Sequence, residues 1–235
     1  MKEGEKMGAE PILTVMLTYN DLTVKNAAEI FQLCRDTDAE YWGIKEEPLE
    51  KAEMKELFAL MKECGKKTVL EVVCYDEESS LAGAELAAEC GCDFLMGTVF
   101  CDSVNDYCKE HDLKYLPFVG KVSDRPSVLE GDIDELISEA REYVSKGAYG
   151  IDLLAYRYTG DAAELIERLV NELDAPVCVA GSVDDFVRLD EIKRIAPWSF
   201  TIGSAFFDKK FGEGIPEQIN AVCRYMKNDA ISRNR

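Results

Sequence analysis

Charged side chains interrupt apolar runs at positions where strands are predicted. Lys45 ends one run, and Glu71 and Asp152 each lie between aliphatic residues inside another. Because burying an unpaired carboxylate is costly, we expect partners of opposite charge nearby. Together with Lys121, which follows a further predicted strand, these residues form a candidate set for general acid–base catalysis in one pocket. The alternative is that the same charges form salt bridges that only support packing.

Two Gly–Ser pairs indicate an anion site. Gly181 and Ser182 follow one predicted strand, and Gly203 and Ser204 follow the next. A glycine lets the backbone approach a ligand closely, and the serine adds a hydroxyl and a peptide N–H, so two such strand ends form a concavity suited to phosphate. Arg157, just after another predicted strand, is a candidate to anchor a substrate phosphate or carboxylate. The alternatives are tight turns for the Gly–Ser pairs and solvent exposure for Arg157.

Short apolar strands alternate with helices along the chain, and eight such units are predicted. This alternation predicts an α/β fold, and the count favours a (β/α)8 TIM barrel with eight parallel strands over an open doubly wound sheet. We predict a flexible leader over residues 1–10, a single barrel over 11–229 and a disordered tail over 230–235. The last two strands are predicted within 175–207. The first six are predicted at 12–17, 41–45, 68–75, 94–97, 115–119 and 150–156.

The longest predicted loop connects the fifth strand to the fifth helix, over residues 120–131. It carries Lys121 and Arg125 together with two serines, and it is unusually long for a connection of this type. Such a loop could act as a lid that closes over an anion. The alternative is a long loop without a role in binding.

Composition narrows the possible partners. The chain has 235 residues and a net charge of −19, so we expect neither nucleic acid nor an anionic membrane surface as a partner. No apolar run approaches the length of about 20 residues that spans a bilayer. A phosphorylated small molecule remains compatible with the charge, because a few local donors can hold an anion. Self-association into a homo-oligomer is also left open.

Cysteine and histidine usage favours a cytoplasmic protein without metal. None of the nine cysteines forms a CxxC pair, and the charged first ten residues do not resemble a signal peptide, which favours reduced thiols. The single histidine, His111, lies near the predicted end of a helix and not in a ligand spacing. We therefore predict no metal site and no cofactor.

The ends of the last two strands resemble those of the phosphate-binding (β/α)8 barrels. The segments 180–183, Ala-Gly-Ser-Val, and 202–207, Ile-Gly-Ser-Ala-Phe-Phe, are similar to the turns of the carboxamide-ribotide isomerases of histidine biosynthesis. Those isomerases use an Asp near the end of strand one and another on strand five. Here strand one is followed by Thr-Tyr-Asn-Asp over 18–21, and strand five by Gly-Lys. The resemblance therefore implies phosphate binding, and the reaction is not carried over.

A second resemblance is to the class I aldolases of the keto-deoxy-phosphogluconate type. Those enzymes carry a Schiff-base lysine on strand six, where this chain has Asp152. A Schiff base would have to form on Lys45 or Lys121, and Lys45 is the better candidate because it ends a strand and does not lie in a loop.

These observations predict an enzyme acting on a small phosphorylated sugar or related metabolite. Isomerase or epimerase chemistry by acid and base groups is the first hypothesis. A Schiff-base aldolase that uses Lys45 is the second, and a barrel that binds a phosphorylated metabolite without catalysis is the third.

Overall fold

A computed structural model describes residues 10–227, which form a nearly closed barrel of eight parallel strands surrounded by helices, as predicted. The strands are β1 Ile12–Met16, β2 Tyr41–Lys45, β3 Lys67–Cys74, β4 Phe94–Val99, β5 Lys114–Phe118, β6 Ile151–Leu153, β7 Val177–Val179 and β8 Ser199–Ile202. They lie in the order β6-β7-β8-β1-β2-β3-β4-β5. Between β5 and β6, where this order is open, the N–H groups of Tyr149 and Gly150 both donate to the carbonyl of Tyr115, at 2.9 and 3.3 Å.

Helices on the outside of the barrel complete each unit. Several of them begin at an aspartate whose side chain accepts a hydrogen bond from a backbone N–H of the first turn, for example Asp76 from Ser79 at 2.9 Å and Asp185 from Arg188 at 2.8 Å. The helices are α1 Ala27–Cys34, α2 Lys51–Glu63, α3 Glu77–Glu89, α4 Asp102–Glu110, α5 Ile133–Ser145, α6 Ala162–Glu172, α7 Phe186–Ile195, α8 Ser204–Phe207 and α9 Ile215–Lys227.

Aromatic side chains close the end of the barrel at which the strands begin. Tyr41, Phe94, Tyr149 and Trp198 pack with their ring centroids 5.6 to 5.9 Å apart. Their rings meet at inclined or perpendicular angles, an arrangement that is favourable for aromatic quadrupoles. The apolar filling at this end leaves the opposite end, where the strands finish, as the place for polar side chains.

Two antiparallel hairpins extend the barrel at its open end. One pairs Thr18–Tyr19 with Leu22–Thr23 directly after β1 and was not predicted. The other pairs Lys121–Ser123 with Val128–Glu130, inside the connection that the sequence shows as a loop. We call them the β1 hairpin and the β5 hairpin.

One predicted strand is wrong in part, and the predicted leader and tail fall almost wholly outside residues 10–227. The predicted strand over 150–156 is wrong in its second half, because the chain turns into a 3₁₀ helix over Ala155–Arg157. The predicted tail over 230–235 and all of the predicted leader except Glu10 lie outside the described residues. Within residues 10–227, no helix is long and apolar enough to cross a membrane.

Candidate active site

A cavity of about 170 Å³ lies at the open end of the barrel, where the strands finish. It is lined by residues from both candidate sets of the sequence analysis, and also by Asp21, which belongs to neither. The candidate residues in its wall are Lys45, Glu71, Arg157, Gly181, Ser182, Gly203 and Ser204. One cavity therefore connects the charged strand ends with the Gly–Ser strand ends.

Lys45 is held between two carboxylates at the end of β2. Its Nζ lies 2.5 Å from Oδ1 of Asp21 and 3.2 Å from Oε1 of Glu71, and the residue is only 5% exposed. Burial alone lowers the pKa of Lys45, but the charges of Glu71 and Asp21 outweigh it, so that the pKa is raised above its ordinary value. The two carboxylates thus favour the protonated ammonium form of Lys45, which lies in the cavity wall. We call Asp21, Lys45 and Glu71 the charged cluster.

Asp21 reaches the cavity because the β1 hairpin folds back over the end of the barrel. Asn20 and Asp21 form its turn, with φ values of 49° and 67° in the left-handed region that these two residue types tolerate best. The Asp21 carboxylate is 7% exposed, and its Oδ2 accepts a hydrogen bond from Nε of Arg125 at 3.0 Å. Sequence reasoning did not select Asp21, because it lies several residues past the strand. An Asn–Asp pair between two short β-prone segments is the signal that could have found it.

Asp152 lies next to the charged cluster but not in the cavity wall. It is 1% exposed, and neither of its carboxylate oxygens has a hydrogen-bond partner among the described residues. Burial raises its pKa well above the ordinary value, and the nearby charge of Glu71 acts in the same direction, opposed by Lys45 and Arg157. The structure therefore brings Asp152 and Glu71 into electrostatic contact, but a ligand in the cavity would not touch Asp152.

Lys121 does not join the other candidates, which corrects the expectation of a shared pocket. It is the first strand residue of the β5 hairpin, its side chain is 75% exposed, and its Nζ pairs with Oε2 of Glu130 across the hairpin at 2.7 Å. The reason is the hairpin itself, since pairing of the two segments turns Lys121 towards Glu130 and solvent. No catalytic role for Lys121 is supported by this geometry.

Gly181 and Ser182 follow β7 and take left-handed backbone conformations, with φ values of 82° and 57°. Arg157 lies directly against this turn: a Cβ on Gly181 would come within 3.0 Å of Cγ of Arg157. Because the glycine has no side chain, the guanidinium stem can run along the turn and into the cavity. Arg157, which the sequence analysis selects as a candidate to anchor an anion, therefore lies in the cavity wall beside this turn.

Gly203 and Ser204 follow β8 and contact the β1 hairpin. A Cβ on Gly203 would lie 2.4 Å from Oγ1 of Thr18, so only glycine allows this approach without displacement. The Ser204 hydroxyl oxygen accepts a hydrogen bond from the N–H of Asn20 at 3.1 Å. We call Gly181, Ser182, Gly203 and Ser204 the Gly–Ser cradle.

The β5 hairpin lies over the side of the mouth formed by the ends of β1, β2 and β3. Arg125 in its turn pairs with Asp21 at 3.0 Å and with Glu46 at 3.3 Å, while the Tyr75 hydroxyl contacts Ser127 at 2.8 Å. Burial raises the pKa of Glu46, and Arg125 partly offsets this effect. The segment that the sequence predicts as a loop is therefore a β-hairpin that packs beside the charged cluster.

Among the described residues, no group of three or more His, Cys, Asp or Glu side chains is arranged to hold a metal ion.

Comparison with known proteins relates the chain to others by structure alone. No protein-family model matches it, and neither does any curated protein sequence. The native KDPGal structure has 13% identity, a TM-score of 0.66 and coverage of 97% of this chain and 98% of that one. Orotidine 5'-phosphate decarboxylase from Pyrococcus horikoshii OT3 has 14% identity and a TM-score of 0.66, with coverage of 92% of this chain and 99% of that one. N-(5'-phosphoribosyl)anthranilate isomerase from Pyrococcus furiosus has 13% identity and a TM-score of 0.65, with coverage of 93% of this chain and 99% of that one.

At these identities the similarity shows the fold. The names of these neighbours include a decarboxylase and an isomerase, so proteins with different reactions share this fold. The chain therefore has the (β/α)8 fold, and the comparisons place it in no family.

Proposed function

We propose that this protein is an enzyme that binds a small phosphorylated sugar or related metabolite and isomerises it by acid–base chemistry. The observation that carries the proposal is the single cavity, which has the Gly–Ser cradle and Arg157 in one part of its wall and the charged cluster in another. A ligand held by its phosphate would thus expose its carbon chain to Lys45 and Glu71. The isomerase among the structural neighbours is consistent with the proposal.

The phosphate would bind at the Gly–Ser cradle. Backbone N–H groups and two serine hydroxyls are donors that suit phosphate oxygens, and the Arg157 guanidinium adds a positive charge with a forked donor geometry. Phosphate sites after the last two strands are common in this fold, which agrees with the position of the cradle after β7 and β8. Recognition at this end would therefore depend on backbone conformation and on one arginine.

The reaction would take place at Glu71 and Lys45. The Glu71 carboxylate removes a proton from the carbon next to the substrate carbonyl, and the Lys45 ammonium stabilises the negative charge that develops on the carbonyl oxygen. Glu71 then returns the proton to the neighbouring carbon, while the hydroxyl proton passes to the former carbonyl oxygen through Lys45. No proton is gained or lost overall. Asp152 contributes from behind the cavity wall, where its raised pKa limits the negative charge next to Glu71.

The aldolase hypothesis is less well supported. A Schiff base needs a neutral amine, whereas the two carboxylates of the charged cluster hold Lys45 as an ammonium with a raised pKa. Treatment with borohydride and a ketose phosphate separates the hypotheses, because only the aldolase gives a covalent adduct on Lys45 that mass spectrometry detects.

The proposal is tested in two steps. Thermal unfolding is first measured with inorganic phosphate and a panel of sugar phosphates at constant ionic strength; a ligand present at about 100 times its Kd adds about 2.7 kcal/mol and identifies the substrate class. The ligand is then incubated in D2O, and deuterium incorporated at carbon is measured by mass spectrometry. Glu71→Gln should lose incorporation and keep the thermal shift.

Glu130→Gln is the matched control for Glu71→Gln, because Glu130 lies in the β5 hairpin outside the cavity wall. It should change neither measurement. A thermal shift without deuterium incorporation in the wild type would favour a barrel that only binds its ligand. No shift with any compound would remove the phosphate site from the proposal.

A further inference from the structure

Asp21 contacts cations that belong to opposite sides of the cavity. Its carboxylate lies 2.5 Å from Lys45, 3.0 Å from Arg125 and 3.9 Å from Nη1 of Arg157. Lys45 belongs to the charged cluster, whereas Arg157 lies along the Gly–Ser cradle. Among the described residues, Asp21 is thus the carboxylate that joins the proposed reacting end to the proposed phosphate end.

We propose that Asp21 is a positioning residue that couples anion binding at the Gly–Ser cradle to the charged cluster. This inference rests on the proposed function. An anion in the cradle draws Arg157 away from Asp21, so that the Asp21 carboxylate then serves only Lys45 and Arg125. Lys45 is held more firmly as a result, and the substrate phosphate prepares the acid–base pair in addition to anchoring the ligand.

The distances make Arg157 the partner that an anion can remove. At 3.9 Å it is the longest of the three ion pairs of Asp21, and its side chain is 25% exposed, whereas that of Lys45 is 7% exposed. The aliphatic part of the Arg157 side chain already runs along Gly181. A small rotation at the end of the side chain therefore moves the guanidinium group from Asp21 to an anion in the cradle. Lys45 has no comparable freedom, because Glu71 holds it from the other side.

The β1 hairpin keeps Asp21 within reach of both sides. Its Asn20 N–H donates to the hydroxyl of Ser204, and Thr18 packs against Gly203 with no room for a side chain between them. Asp21 follows Asn20 in the same tight turn. The hairpin therefore cannot withdraw from the cradle without breaking these contacts, so Asp21 and a bound anion must compete for Arg157.

Competition leads to an expectation that a purely structural role would not produce. Removing the charge of Asp21 releases Arg157, so Asp21→Asn should bind inorganic phosphate more tightly than the wild type, by roughly five- to tenfold, which is the lower range of typical coupling between sites. The gain should disappear in the double variant with Arg157→Gln, because the two residues act through one contact. Asn keeps an oxygen for Lys45 and Arg125, and Asp21→Ser, smaller and neutral, is the second variant if Asn impairs folding.

The experiment is titration calorimetry with inorganic phosphate at constant ionic strength on the wild type, Asp21→Asn, Arg157→Gln and the double variant. Asp208→Asn is the matched control, because Asp208 is an exposed carboxylate that also lines the cavity. A similar gain in Asp208→Asn would show a general charge effect and overturn the coupling. Phosphate binding that needs Arg157 but does not tighten in Asp21→Asn would overturn the coupling and leave the proposed function intact. Absence of phosphate binding in every variant would overturn both.

Discussion

The two sides of the barrel mouth use different means to build the candidate site. After β1, β2 and β3 the wall consists of charged side chains that are buried and paired, with Lys45 at their centre. After β7 and β8 it consists of glycines and serines whose backbone conformation creates the space. The first side depends on charge balance, so a substitution there leaves an unpaired charge. The second depends on backbone geometry, so a substitution there introduces strain.

The largest expected effect is on the charged side. Lys45→Met leaves the nearly buried carboxylates of Asp21 and Glu71 without the ammonium group that they share. We expect the free energy of unfolding to fall by about 3 kcal/mol. This value is at the lower end for a broken buried ion pair, because Arg125 still pairs with Asp21. Urea denaturation measures it. Lys121→Met makes the same chemical change at the exposed lysine of the β5 hairpin and should leave the midpoint unchanged. Equal losses in both variants would contradict the contrast between them.

A pH-dependent effect is expected at Asp152, behind the charged side. Its pKa in the folded protein lies above the unfolded value of about 3.9, so the folded state keeps a proton that the unfolded state releases. This contribution to stability is complete below about pH 4 and is lost as the pH rises towards the folded pKa. Asp152→Asn lacks this loss, so its stability relative to the wild type should increase with pH, by up to about 1.4 kcal/mol per pH unit.

Chemical denaturation at several pH values measures the Asp152 effect. Asp208→Asn, which makes the same chemical change at an exposed carboxylate, is the matched control and is measured at the same pH values. A constant difference between Asp152→Asn and the wild type from pH 4 to pH 7 would show that the Asp152 carboxyl ionises normally in the folded protein.

The smallest expected change in stability is on the Gly–Ser side. Gly181→Ala places a side chain at a φ of 82° and against Arg157, and we expect a loss of about 1 kcal/mol together with weaker phosphate binding. Gly65→Ala is the matched control, because Gly65 has a φ of 74° and open space around its Cα. It should lose similar stability in urea and retain phosphate binding by calorimetry. Unchanged phosphate affinity in Gly181→Ala would remove the cradle from the proposed site.

Much of the barrel and of the candidate site followed from local sequence patterns. The eight strands are predicted because short apolar runs alternate with helices. Lys45 and Glu71 are selected because a charged side chain in an apolar strand is costly to bury unless a partner is present. The Gly–Ser pairs were selected because they end successive strands. In each case the signal lies within a few residues of the feature, and the parallel arrangement of the strands brings the features together.

The features that were missed or wrong depend on chain reversals. Asp21 was missed because a two-residue turn sends it back over the barrel, and Lys121 was wrongly placed because a hairpin sends it away. Asp152 was expected to exchange protons with a ligand, but strand alternation could place it inside the barrel without showing whether the cavity reaches that depth. The depth of the cavity and the direction in which a side chain after a strand points depend on how the loops pack. The pattern of residues in the strands does not contain this information.

The positions of the two tryptophans determine what fluorescence can report. Trp42 is fully buried, with its indole N–H donating to the carbonyl of Ala39, and Trp198 belongs to the aromatic group at the closed end of the barrel. Neither side chain lines the candidate site. Tryptophan emission should therefore follow unfolding of the barrel and remain unchanged when a ligand occupies the mouth, so that denaturation curves with and without ligand can be compared directly.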